Sequence, residues 1–136
     1  MILSGRVTIL CPEECGCGLK GKWYYYSGSF FLFSLIQLTD LRRLEVFKNN
    51  SKLLMKDSFV FLSDLEVLDI SECGLRTVEL GAFNGLTALT DLRISGNKLI
   101  ELSVGTFENL KGLEYLDLNN NRFEHLDSGV FRGWLT

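Results

Sequence analysis

The sequence predicts a right-handed solenoid of the α/β class, in which short parallel strands stack into a curved sheet with loops or short helical turns on the opposite face. Three observations predict this fold. Leucines recur every 24 residues, each 24-residue unit contains a short segment of alternating apolar and polar residues, and an asparagine or cysteine follows that segment at a fixed distance. A single unit cannot bury its own apolar face, so the units must stack.

The repeat is visible in several columns of residues that lie 24 positions apart. The first column is Leu41, Leu65, Leu89 and Leu113, and it defines four units, 41–64, 65–88, 89–112 and 113–136. The other columns give each unit the pattern LxxLxLxxN/C followed by a phenylalanine. They are Leu44, Leu68, Leu92 and Leu116; Val46, Ile70, Ile94 and Leu118; and Phe59, Phe83, Phe107 and Phe131.

Each column has a physical reason. Segments such as LEVLDIS and LTDLRIS alternate, which is typical of a strand with aliphatic residues inward and polar residues outward. The chain must turn sharply after each strand, and a buried polar side chain there can satisfy backbone groups that lack ladder partners. We therefore expect a structural ladder formed by Asn49, Cys73, Asn97 and Asn121. The phenylalanine column is expected to fill the convex side.

The units resemble the extracellular leucine-rich-repeat family, which includes Slit-like proteins, Toll-like receptors, lymphocyte variable receptors and small proteoglycans. The match runs from about Cys11 to the last residue, and LTDLRISGNKLIELSVGTFENLKG is similar to the common 24-residue form of the repeat. The resemblance implies a leucine-rich-repeat solenoid located outside the cell or at the cell surface. It also implies that the chain recognises a protein ligand or co-receptor.

The amino-terminal part departs from the repeat. Residues 1–10 are interpreted as a short leader or degraded signal segment, and residues 11–40 as an incomplete cysteine-rich cap. By resemblance Cys11 pairs with Cys17, which leaves Cys15 free. Two alternatives were weighed and disfavoured: a zinc site at these cysteines, and a membrane helix in the sixteen-residue apolar stretch 23–38, which is shorter than the roughly 20 residues a span needs.

The chain is not expected to be an enzyme. Its net charge of −3 and mixed signs argue against nucleic acid as a partner. The one histidine, His125, has no serine or cysteine expected beside it, and no phosphate-binding or calcium-binding loop occurs. We therefore predict no catalytic, cofactor-binding or metal-binding residues, no cofactor, and no membrane insertion within this chain.

The outward positions of the strands form the predicted ligand-binding surface. Phe47 and Tyr115 are aromatic residues of the kind enriched at interfaces, although they could instead pack on neighbouring side chains. Charged residues surround them and complete the predicted site: Arg43, Asp69, Asp91, Arg93 and Asp117. We expected cross-strand pairs between Arg42 and Glu66 and between Lys48 and Glu72, and a row of Asp69, Arg93 and Asp117.

The preferred function is thus protein–protein recognition by a fragment of an extracellular or receptor ectodomain. The alternative is a structural or adhesive repeat protein. Because the fourth unit lacks the polar cap that terminal repeats normally carry, the alternative would involve self-association through an exposed carboxyl-terminal edge.

Overall fold

The structure is a computed structural model that describes residues 6–10, 41–47 and 52–134; of residues 6–10 and of Phe47 it describes the backbone alone. Within these ranges the chain forms a five-stranded parallel sheet and a two-stranded parallel sheet. The described part of the chain contains no helix with the length and apolar content that crossing a bilayer requires.

The large sheet contains one strand from each of the four repeats and one strand from the amino-terminal segment. It consists of β1 (Arg6–Leu10), β2 (Arg43–Phe47), β4 (Val67–Asp69), β6 (Asp91–Arg93) and β7 (Tyr115–Asp117), which lie side by side in that order. The register aligns Leu44, Leu68, Leu92 and Leu116 across the last four strands. This register confirms the stacked parallel strands that the 24-residue period predicts.

Strand β1 was not anticipated from the sequence. Arg6–Leu10 pairs in parallel with β2, so that Val7 lies beside Leu44 and Ile9 beside Val46. Strand β1 therefore extends the sheet of the repeats by one strand. The interpretation of residues 1–10 as a leader concerns processing and stays a prediction.

The second sheet lies on the flank of the solenoid, after the turn that follows the main strands. It consists of β3 (Leu53–Leu54) and β5 (Thr77–Val78), paired in parallel. Beyond these strands the repeats continue in tight turns, and the last described repeat contains a 3-10 helix, Ser128–Phe131. The side chain of Asp127 caps this helix by accepting a hydrogen bond from the backbone N–H of Gly129 at 2.7 Å.

The core consists of the apolar columns. The inward leucines and isoleucines of β2, β4 and β6 and of the residues beside them are buried, as are Phe59, Phe83 and Phe107 on the convex side, whereas Leu116 in β7 is partly buried. The rings of Phe83 and Phe107 stack with centroids 5.9 Å apart, and Phe131 continues the stack at 6.2 Å from Phe107. The convex column is therefore continuous from the second repeat to the fourth.

A buried asparagine connects neighbouring repeats at the turn after the strand. Asn97 Oδ1 accepts hydrogen bonds from the backbone N–H groups of Cys73 and Leu75, both at 3.0 Å. Its Nδ2 donates to the carbonyl oxygens of Ile70 and Ile94, also at 3.0 Å. One carboxamide thus satisfies buried backbone groups of two successive repeats, which is why the chain can turn here without losing hydrogen bonds.

Asn121 and Cys73 occupy the same column. Asn121 Oδ1 accepts from the N–H of Leu99 at 3.2 Å, and Nδ2 donates to Ile94 O at 2.9 Å. The buried thiol of Cys73 lies 3.4 Å from the carbonyl oxygens of Val46 and Ser71, at positions equivalent to two of those that Asn97 Nδ2 contacts. The thiol therefore takes over part of the donor role of the amide.

Three parts of the sequence-based prediction lie outside the described residues. They are the cap at 11–40 with Cys11, Cys15 and Cys17, the ladder residue Asn49, and the pair between Lys48 and Glu72, of which only Glu72 is described. The assignment of the cap and the disulfide between Cys11 and Cys17 stay predictions.

Candidate binding site on the concave face

The concave face is the side of the large sheet that points away from the core. It is formed by the outward residues of β2, β4, β6 and β7. Because side chains alternate along a strand, residues two positions apart on one strand share this face. The face therefore brings together six described residues of the predicted site: Arg43, Asp69, Asp91, Arg93, Tyr115 and Asp117. For Phe47 the structure places only the backbone, at the end of β2.

Arg93 lies at the centre of this face. Its Nε donates to Asp91 Oδ1 at 2.9 Å and its Nη2 to Asp91 Oδ2 at 2.8 Å, a bidentate pair within one strand. The guanidinium also lies over the ring of Tyr115, 5.3 Å from its centroid. These contacts hold a planar cation against an aromatic ring in the middle of the sheet.

The charge of Arg93 is stabilised by its surroundings. The hydrogen-bonded carboxylate of Asp91 raises the pKa of Arg93 above its ordinary value, and the negative charges of Asp91 and Asp69 add to this, whereas burial acts in the opposite direction. The surroundings of Arg93 therefore favour the charged form of its guanidinium.

Asp69 and Asp117 flank Arg93 in register on the neighbouring strands. Their carboxylates do not form the expected cross-strand ion pairs with Arg93. Each instead accepts a hydrogen bond from a backbone N–H two residues later, that of Ser71 at 3.0 Å and that of Asn119 at 2.9 Å. The three residues lie in the predicted row, but the ion pair of Arg93 is with Asp91 on its own strand. Residues at positions i and i+2 of a strand share a face, so their side chains can reach each other directly.

The arginines at the strand of the first repeat also form ion pairs. Arg43 Nε donates to Glu45 Oε1 at 2.7 Å, and Arg42 forms the expected cross-strand pair with Glu66. Glu45, expected at the surface, is only 2% exposed. The sequence pattern places it outward but does not show that Arg43 and the neighbouring strands cover it. The basic character expected of this strand is therefore reduced by Glu45 of the same strand and by Glu66 of the second repeat.

Tyr115 is the described aromatic residue of the face. It is 49% exposed although Arg93 covers part of its ring, so the ring packs on a neighbour and still presents a surface to solvent. Its role as an interface residue stays a prediction. Phe47 would lie at the other end of the site. No group of three or more potential metal ligands occurs among the described residues, and His125 is exposed.

Comparison with known proteins agrees with this architecture. The leucine rich repeat family model matches residues 39–99 and 88–134. A comparison with curated protein sequences found no match. Among solved structures, the crystal structure of an internalin from Listeria monocytogenes is similar, with a TM-score of 0.54 and 19% identity over 77% of this chain. The match spans 30% of that internalin, and at this identity it shows the fold alone.

The family assignment also bears on activity in general terms. Leucine-rich repeats are interaction modules for proteins and typically have no catalytic function of their own. The family model covers most of the chain, and its two matched ranges coincide with the stacked strands and buried columns described above. The chain therefore belongs to the leucine-rich-repeat family.

Proposed function

We propose that this chain is the recognition module of an extracellular or cell-surface protein and that it binds a protein ligand or co-receptor on its concave face. The observation that carries the proposal is Tyr115, which is half exposed on the last strand of the concave face and is covered in part by the guanidinium of Arg93. A rigid, amphipathic aromatic residue gives a partner a large contact area at a small entropic cost.

The charge of the face indicates the kind of partner. The described cations of the face, Arg42, Arg43 and Arg93, are each paired with a carboxylate. Four further carboxylates make no ion pair within the described ranges: Asp69, Glu72, Glu114 and Asp117. The described part of the face thus has an acidic excess, half of it, Glu114 and Asp117, beside Tyr115 on the last strand. A partner with basic groups around an apolar or aromatic residue would complement it.

The proposal is tested with variants of this surface. Partners would first be captured with the immobilised chain from secreted and cell-surface proteins, and their affinities measured by biolayer interferometry. Tyr115→Ala and Phe47→Ala are expected to weaken binding by about tenfold or more, as truncation of an interface aromatic commonly does. Lys111→Ala, at an exposed position on the convex side, is the control and should leave the affinity unchanged.

Reversal of a charge should behave differently from loss of the aromatic anchor. Asp117→Lys is expected to slow association and to change its salt dependence, because exposed charges act mainly on the encounter of the two proteins. Tyr115→Ala is expected to speed dissociation.

If Lys111→Ala abolishes binding while both aromatic variants keep full affinity and an unchanged melting temperature, the concave site is refuted. Sedimentation velocity over a range of concentrations tests the alternative. Association that grows with concentration and is unaffected by Tyr115→Ala would support a structural or adhesive role through the repeat edge.

A further inference from the structure

A second surface of interest lies on the flank of the solenoid, beyond the asparagine column. Here the chain leaves each turn and the backbone of one repeat bonds to the next: Lys98 N–H donates to Leu75 O at 2.7 Å and Arg122 N–H to Leu99 O at 2.8 Å. These bonds stack side chains from three successive repeats along an open groove of about 370 Å³. We call it the lateral groove, and define it by Arg76, Lys98, Ile100, Glu101 and Arg122.

The lateral groove is positively charged although the whole protein has a net charge of −3. Three of the five defining residues are cations, and all three are exposed. Within the described ranges none of them makes an ion pair, in contrast to the paired arginines of the concave face. Their charges therefore act together on an approaching anion, over a distance of about 8 Å at physiological salt.

An apolar side chain lies among these cations. Ile100 is 58% exposed, the largest value among the exposed large hydrophobic residues of the described ranges. It belongs to the same column as Arg76 of the preceding repeat, and stacking of the two repeats brings these positions together. An isoleucine on the lining of a charged groove offers a partner apolar burial at one defined point.

We propose that the lateral groove binds an extended acidic peptide segment of a partner protein, with an apolar side chain of that segment on Ile100. Three repeats at ~4.8 Å spacing place the cations along roughly 10 Å, the length of about three residues of extended chain at ~3.3 Å each. Carboxylates at alternate positions of such a segment lie on one face and can reach successive cations.

The chemistry of the groove favours a peptide over a sulfated glycan. Glu101 lies among the cations and would repel a densely charged polyanion, whereas a peptide can present an N–H group to it. A sulfated glycan also gains nothing from the exposed side chain of Ile100. The groove is separate from the concave face, so its occupation does not depend on the function proposed for that face.

Binding can be measured with a defined probe and the full chain. The probe is an acetylated and amidated peptide of seven residues, with leucine at the centre, aspartate at the second and sixth positions, which share the face of the leucine, and serine elsewhere. It is titrated at low and at physiological salt. Two further probes are the same peptide with glycine in place of leucine and a heparin-derived hexasaccharide. We expect saturable, salt-sensitive binding of the leucine peptide, with amide shifts in NMR spectra at Thr77, Glu101 and Ser103.

Matched variants locate the site. Lys98→Glu and Arg122→Glu are each expected to weaken the peptide by about five- to tenfold at low salt, because reversal removes an attraction and adds a repulsion. Lys111→Glu is the control for net charge and should change the affinity less than about twofold. Ile100→Ser should reduce the preference for the leucine peptide over the glycine peptide. Leu80→Ser, at an equally exposed apolar position outside the groove, should not.

Because all substituted side chains are exposed, the variants are expected to melt at the temperature of the unchanged protein, which circular dichroism checks. The proposal is overturned if the peptide does not bind, or if Lys111→Glu weakens it as much as Lys98→Glu. It is also overturned if the hexasaccharide binds more tightly with no effect of Ile100→Ser, which would identify a glycan site. Self-association that Arg122→Glu abolishes would show instead that a second copy occupies the groove.

Discussion

Replacement of Asn97 by alanine should be among the most destabilising single substitutions in this chain. The carboxamide is buried and bonds to four backbone groups at 3.0 Å: the N–H groups of Cys73 and Leu75, and the carbonyl groups of Ile70 and Ile94. Ile94 O also accepts a bond from Asn121 Nδ2 at 2.9 Å, so it keeps a partner in the variant. The other three groups lose the bond that Asn97 provides.

The magnitude follows from these three groups. A buried polar group that loses its hydrogen bond costs about 1–3 kcal/mol. Water entering the space left by alanine would reduce the penalty, so we take the lower half of the range and expect a loss of about 3–5 kcal/mol in the free energy of unfolding. This is a large part of the roughly 5–15 kcal/mol that stabilises an ordinary domain.

Asn121→Ala is the matched control. Asn121 has the same column position and bonds to three of the four equivalent groups, but it is only partly buried, so water can replace its carboxamide. We expect a loss of about 1–2 kcal/mol there. Asn97→Leu fills the space without supplying hydrogen bonds, and should destabilise the protein about as much as alanine does, since the cost comes from the polar groups.

Urea unfolding followed by far-UV circular dichroism measures these differences. A loss below about 1 kcal/mol for Asn97→Ala, or equal losses for Asn97→Ala and Asn121→Ala, would contradict the reasoning, because the hydrogen bonds of the ladder would then contribute little when buried. The slope of the transition should be unchanged if the repeats unfold together.

Three further predictions concern stability and accessibility. Gly85 has a φ of +85°, and a Cβ there would lie 2.3 Å from a backbone oxygen of the preceding repeat. Gly85→Ala should therefore lower the free energy of unfolding by at least about 2 kcal/mol. Gly112→Ala, whose nearest contact would be at 3.5 Å, should lower it by less than about 1 kcal/mol, as measured by thermal unfolding. Glu72→Asn should raise stability by about 0.5–1 kcal/mol, because Glu72 has a φ of +55° and Asn120 adopts the same conformation at the equivalent position; an unchanged melting temperature would count against this. The thiol of Cys73 is 0% exposed, so peptide mapping after alkylation should find it unlabelled in the native protein and labelled in urea. Labelling of Cys73 in the native protein would show that the repeat register is wrong.

The stacking and its register follow from the sequence because they depend on periodic residues. Leu44, Leu68 and Leu92 lie 24 positions apart, and no other register would bury all of them together. The phenylalanine column is determined in the same way. Strand β1 could not be predicted in this way, since Arg6–Leu10 lies outside the 24-residue pattern, which therefore gives no register for it.

The charged contacts of the concave face were only partly predictable. Alternation places Asp69, Asp91 and Arg93 on one face, but it leaves open whether the guanidinium bonds along its strand or across to the next. That choice depends on the rotamer of Arg93 and on backbone N–H groups that compete for the same carboxylates. The N–H group of Ser71, for example, donates to the carboxylate of Asp69. The burial of Glu45 depends in the same way on neighbours that periodicity does not specify.

The lateral groove was missed for a different reason. Lys98 and Arg122 are equivalent by the repeat, whereas Arg76 is offset by two positions, so the three cations do not form one column of the sequence. Only the hydrogen bonds between turns show that they line a common groove.

The asparagine column also joins successive repeats by hydrogen bonds of unequal strength. Between the second and third repeats, and between the third and fourth, an amide both donates and accepts across the boundary. Between the first and second, the column residue is Cys73, whose thiol is a weak donor to Val46 O at 3.4 Å. Within this column the last three repeats are thus joined by the stronger side-chain hydrogen bonds, whereas the first repeat is also joined to the second by the pairing of β3 with β5. The column therefore accepts a weak donor at the described boundary that a second sheet also spans.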